Sequence, residues 1–62
     1  MITVQLWCDE ELETFEMESN QVLGYVELVK NFGYVDEDCS EYKFKSAQMG
    51  IDKFLSIYLE SV

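Results

Sequence analysis

Ile2, Val4, Leu6 and Cys8 alternate with Thr3, Gln5 and Trp7 at the start of the chain. A period of two with β-branched residues on one side is the pattern of a half-buried strand, and it commits the downstream chain to packing on a sheet. Asp9-Glu10-Glu11 breaks the pattern as a polar turn. From Glu13 to Glu18 the alternation resumes, with Phe15 and Met17 facing one way and Thr14, Glu16 and Glu18 the other. Two such segments joined by about four residues form an antiparallel hairpin.

The period then changes. Ser19-Asn20 supplies side chains that accept from the free amides of a first helical turn. Val22, Leu23, Val26, Val29 and Phe32 come next at helical spacing, with Tyr25 and Leu28 widening the apolar face. Glu27 and Lys30, three apart on the expected outer side, can pair weakly. Gly33 stands where a left-handed cap belongs, so the spacing predicts a helix over residues 20–32. Gly24 inside it costs about 1 kcal/mol relative to Ala, a cost that a close approach to the sheet would explain.

Tyr34-Val35 reads as a return to the core, and residues 36–41 as an acidic loop. Residues 41–45 alternate Tyr42 and Phe44 with Lys43 and Lys45, a short third strand with both lysines on one face. Residues 46–62 fit two templates. As a helix capped by Ser46, they put Ile51, Phe54, Leu55, Tyr58, Leu59 and Val62 on one stripe and misplace only Ile57. As a strand, they point Leu55, Ile57 and Leu59 inward and leave Phe54 and Tyr58 facing water. The helix has fewer exceptions. The expectation is a single α+β domain over residues 1–62: a three-stranded antiparallel sheet with two helices on one face, in the order ββαβα.

The alternative is ββαββ. Hairpin, helix and strand in succession resemble the opening of ubiquitin-like β-grasp domains, and Gly50-Ile51 with Ile57 and Leu59 resembles the end of one. The resemblance covers most of the chain and has no specific motif. Because the sequence ends Glu60-Ser61-Val62 rather than Gly-Gly, conjugation or sulfur carriage through a diglycine is not expected of this form.

Sixty-two residues bury only about 60% of the surface the unfolded chain exposes, which favours function on an outer surface over a deep, walled site. A chain 48% hydrophobic and 15% aromatic is too apolar to remain disordered. Its charge is lopsided: thirteen Asp and Glu against four Lys, with no Arg or His, for a net charge of −9. Such a chain repels phosphate backbones and anionic membranes, so direct nucleic-acid or membrane binding is not expected. A basic protein partner is the natural complement.

The absent residues also exclude chemistry. Without His there is no His-assisted nucleophile and no His-containing metal site. Without Arg there is no bidentate anion clamp. No enzyme activity, metal or cofactor is expected. Cys8 and Cys39 form no CxxC pair and read as two reduced thiols, with a single disulfide as the alternative. No cationic start followed by an apolar run marks a signal peptide, and no stretch reaches the roughly 20 apolar residues of a membrane span. A cytoplasmic location is expected.

The candidate site is acidic. Asp9, Glu10, Glu11, Glu13, Glu16 and Glu18 put six acids in ten residues, with Glu16 and Glu18 expected about 7 Å apart on one strand face. Asp36, Glu37, Asp38 and Glu41 form a second cluster. Asp36-x-Asp38-x-Ser40 begins like an EF-hand calcium loop, but Glu41 and Ala47 occupy the places of its Gly and terminal Glu. Calcium binding of that type is therefore rejected. Trp7, opposite the apolar side of its strand, is a candidate interface anchor. Together these residues point to a non-catalytic protein that occupies a basic surface on a partner, in its most concrete form an inhibitor imitating nucleic acid. The competing readings are a charge coat serving solubility, and an adaptor or assembly subunit binding through Trp7 and apolar neighbours. An exposed strand edge makes a homodimer reasonable.

Overall fold

A computed structural model describes residues 1–50 and 52–62. Strands β1 (Ile2–Cys8) and β2 (Glu11–Met17) form the opening hairpin, and helix α1 (Ser19–Phe32) comes after it. The chain continues through β3 (Tyr34–Val35), β4 (Glu41–Met49) and β5 (Phe54–Ser61). The sheet order is β2-β1-β5-β4-β3. β1 and β5 run parallel at its centre, and every other neighbouring pair is antiparallel.

The core lies between this sheet and α1. Ile2, Val4, Leu6 and Cys8 from β1 meet Leu55, Ile57 and Leu59 from β5, under Val22 and Val29 of the helix. Phe15, Met17, Tyr25, Val26, Tyr34, Tyr42 and Phe44 pack around them. The alternation in β1 therefore does what period two demands, with one side of the strand buried against the helix.

The expected three-stranded sheet with two helices is not what forms. Among the described residues there are five strands and one helix, in the order ββαβββ, which also adds β3 to the ββαββ alternative. The decisive segment is residues 54–61, which form a strand. Leu55, Ile57 and Leu59 point inward, while Phe54 and Tyr58 take the open face of the sheet. Their exposure counted against a strand, but Tyr58 is not left alone in water. Its ring stacks on Trp7 of the neighbouring strand, with centroids 6.4 Å apart and planes 9° from parallel. A cross-strand aromatic pair of this kind stabilises a sheet and removes the penalty that favoured the helix. Ser46, expected as a cap, lies in β4 opposite Tyr58. Ile51, assigned to the helical stripe and to the β-grasp resemblance, lies outside the described residues.

Smaller differences bear on the site. The hairpin turn is only Asp9-Glu10, with Asp9 at φ 56°, so Glu11 already belongs to β2. Glu18 leaves the strand and becomes the residue capping α1, without a side-chain hydrogen bond. β4 runs on to Met49, and its register slips between Phe44 and Ser46. Lys45 falls at that slip, so simple alternation does not place it on one face with Lys43.

The two helix glycines differ. Gly33 ends α1 at φ 73°, donating its N–H to the Val29 carbonyl, and an added Cβ would meet the Tyr42 carbonyl oxygen at 2.5 Å. Gly24 has no heavy atom within 4 Å of its Cβ position, so the expected close contact with the sheet is absent. Gly24→Ala should stabilise the protein by about 1 kcal/mol. Gly33→Ala should destabilise it by about 2 kcal/mol or more, from the strained backbone and the clash together. Thermal melts of the two variants check both signs.

Candidate functional site

Strand register gathers the acids at one end of the sheet. Cys8 ends β1 opposite Glu11 on one side and beside Leu59 on the other. Just beyond it, Asp9 holds the end of β5: Ser61 donates its N–H to Asp9 Oδ1 at 3.2 Å and its hydroxyl to Asp9 Oδ2. Ser61 faces Tyr42, and Glu41 faces Val35, so β3, β4 and the loop between them arrive at the same end. Asp9, Glu10, Glu11 and Glu13 from the hairpin thus join Asp36, Glu37, Asp38 and Glu41 from the second cluster.

Hydrogen bonds fix this end. Asp36 Oδ1 accepts the N–H groups of Asp38 at 3.0 Å and Ser40 at 2.8 Å, an Asx-type turn that shapes the loop. The Tyr42 hydroxyl donates to Asp36 Oδ2 at 3.4 Å. Tyr34 reaches across to β2 and donates to Glu13 Oε2 at 2.6 Å. Glu11 and Glu13 share the sheet face of Cys8 and Leu6, yet both remain exposed.

The electrostatics show the convergence. Burial pushes the Cys8 thiol above its ordinary pKa, and the charges of Glu13, Asp36, Glu11 and Asp9 push it further. These four carboxylates come from two chain segments and act on one thiol. Tyr34 is raised chiefly by its hydrogen bond to the Glu13 carboxylate, then by burial. Tyr25 is raised by burial and by Glu13. Among the described residues the ion pair is Lys43 Nζ to Glu60 Oε1 at 3.7 Å, so no lysine neutralises the gathered carboxylates. No group of three or more Cys, Asp or Glu among the described residues has an arrangement that could hold a metal ion.

Two expected members stand apart. Glu16 pairs with Thr3, toward the opposite end of the hairpin, and Glu18 lies at the start of α1. They do not form the expected pair on one strand face, because the strand ends at Met17. Trp7 is half-buried on the open face of the sheet, with no helix over it. It sits in a row that the alternation of β1 does not reveal: Leu12, Trp7 and Tyr58 are direct neighbours across β2, β1 and β5. The row lies one residue from Cys8 and so borders the acidic end. Sequence spacing does not single out Leu12, and it marks Tyr58 only as one of the chain's aromatic residues, although a strand over residues 54–61 places Tyr58 outward.

Comparison with known proteins finds no family model, no curated protein and no solved structure that matches this chain. No helix among the described residues is long and apolar enough to cross a membrane.

The Tyr34–Glu13 bond gives a pH dependence of definite sign. The folded chain holds the Tyr34 proton to higher pH than the unfolded chain, which releases it near the ordinary tyrosine value of about 10. The bond's contribution is therefore complete below pH about 10 and is lost as pH rises above it. Tyr34→Phe should cost about 1 kcal/mol at neutral pH, a modest value because the site is exposed. It should also flatten the alkaline fall in stability, as denaturant melts across that range will show. The thiols give a second check. Cys8 is buried, Cys39 is exposed, and neither is bridged, contrary to the disulfide alternative. A thiol reagent should label Cys39 in the native protein and Cys8 only as the chain unfolds, which peptide mass mapping resolves.

Proposed function

We propose that this protein is a non-catalytic binder whose acidic end, with the row of Leu12, Trp7 and Tyr58 beside it, occupies a basic surface on a partner protein. The observation that carries the reading is the meeting of two acidic segments, 9–13 and 36–41, with no lysine paired to them among the described residues. Like charges held together raise the free energy of the fold, and a cationic surface relieves that cost on contact. Carboxylates fixed by strand register and by the Asp36 turn are already positioned, so little order need be imposed on binding. The aromatic row supplies the desolvated centre that such an interface uses, with the acids as its charged rim. In its most concrete form the partner surface is one that otherwise holds nucleic acid, and the protein inhibits by occupying it.

The stacked Trp7–Tyr58 pair favours a second reading, an adaptor that binds through the aromatic row alone with charge serving solubility. Salt and substitution separate the two. Glu10 and Glu37 are exposed and make no side-chain hydrogen bond or ion pair among the described residues, so the double variant Glu10→Lys, Glu37→Lys should keep the fold. Affinity for purified basic nucleic-acid-binding proteins is measured by calorimetry at about 0.05 M and about 0.5 M salt. Occupation of a basic surface predicts steep weakening at high salt, roughly tenfold or greater loss in the charge-reversed protein, and displacement of bound nucleic acid. A salt-insensitive interaction, lost in Trp7→Ala and retained in the charge-reversed protein, would establish the adaptor instead.

A further inference from the structure

The opposite edge of the sheet has a different chemistry. β3 pairs only with Tyr42 and Glu41, so beyond Tyr42 the outer side of β4 has no strand neighbour among the described residues. Five consecutive residues of β4, Lys45 to Met49, are exposed although they lie in a sheet. Alternate ones, Ala47 and Met49, pair with the inward-facing Ile57 and Leu55 and so turn toward the helix side, yet α1 does not cover them. Between α1 and β4 lies an open groove of about 610 Å³, with Ile2, Val22, Val26, Phe44, Ala47 and Met49 among its lining.

The lysines fall along this edge. Lys45 lies on β4, as does Lys43, which is already paired with Glu60, and Lys53 is in the turn that leads from β4 to β5. Lys30 lines the groove from the helix, its Nζ 5.7 Å from the Phe44 ring centroid. No carboxylate is among the described residues that line the groove. A chain with net charge −9 thus carries its cations beside an unpaired strand and an apolar trough.

We infer that the β4 edge takes up an extended peptide in which apolar residues alternate with carboxylates. The peptide backbone continues the sheet along residues 45–49, beyond the point where Gly33 lies against Tyr42 and Lys43, its apolar side chains fill the groove beneath α1, and its carboxylates meet Lys30 and Lys45. Main-chain pairing supplies affinity and alternate side chains supply specificity, the general logic of strand addition. Charge selects the occupant. A basic peptide meets Lys30 and Lys45 unfavourably, and a second copy pairing its own β4, which has no Asp or Glu over residues 43–49, offers those lysines no carboxylate. The site is independent of the acidic end, which lies on different residues and attracts the opposite charge.

The test is an NMR titration of the isotope-labelled protein with a short synthetic peptide alternating valine and glutamate, alongside the same peptide with lysine for glutamate. The expected result is saturable shifts and slowed hydrogen exchange at the amides of residues 45–49, with binding of the lysine peptide about tenfold weaker or more. Ala47→Glu should abolish the response. Ala47 is exposed, and unchanged signals from Val4 and Phe15, on strands away from β4, will show that the variant folds. Failure to saturate, shifts confined to the acidic end or the Trp7 row, or equal binding of the lysine peptide would overturn the inference. Concentration-dependent protection of β4 without any peptide would overturn it too, by making a second copy the occupant.

Discussion

The parallel pairing of β1 with β5 is the contact on which the rest of the molecule depends. Val4, Leu6 and Ile57 are almost completely removed from solvent there, and with Val29 above them they form the centre of a small core. Each such side chain contributes about 1.5–3 kcal/mol on burial, a large share of what a domain of this size has available. No polar or charged residue is buried with them among the described residues, so nothing offsets that gain through desolvation. The hairpin fixes one flank of this pair and β4 the other. Helix α1 then closes one face only.

That single closure explains the division of the surface. A five-stranded sheet is wider than one helix, so α1 covers the centre and leaves margins. On the β2 margin the uncovered positions of the helix-side face are Glu11 and Glu13, and on the β4 margin they are Ala47 and Met49. One margin is charged and the other apolar with lysines nearby. The open face, with no helix at all, is paved by Trp7 and Tyr58 together with polar partners such as Gln5 and Ser56, whose side chains hydrogen-bond at 3.2 Å. Its polarity suits a sheet wetted on one side, with the aromatic row as the exception.

Local pattern is legible in the sequence where one period holds without competition. Ile2, Val4, Leu6 and Cys8 mark the first strand, and the helical spacing over residues 20–32 matches Ser19–Phe32 to within a residue. Residues 54–61 are not legible in this way, because Phe54 and Tyr58 satisfy a helical stripe as well as Leu55 and Leu59 do. The deciding partner for Tyr58 is Trp7, fifty-one positions earlier in the chain, and a local window does not contain it. The site obeys the same rule. The acidic clusters are evident as composition, and their meeting depends on Asp9–Ser61 and Val35–Glu41 pairings that only the assembled sheet creates. Glu16 and Glu18 share a strand face only if β2 runs past Met17, and the start of the helix at Ser19 stops it there.

Joining the first strand to the last has a consequence for how the chain is made. During synthesis β1 and β2 leave the ribosome early, as a hairpin whose oily side has only the helix to shelter it. β5, which completes the centre, follows the other four strands in the chain, so the sheet closes only after all of them have been made. Long-range closure of this type folds more slowly than local contacts do. Through that interval the glutamates of the nascent hairpin repel neighbouring copies and guard its apolar side against clumping.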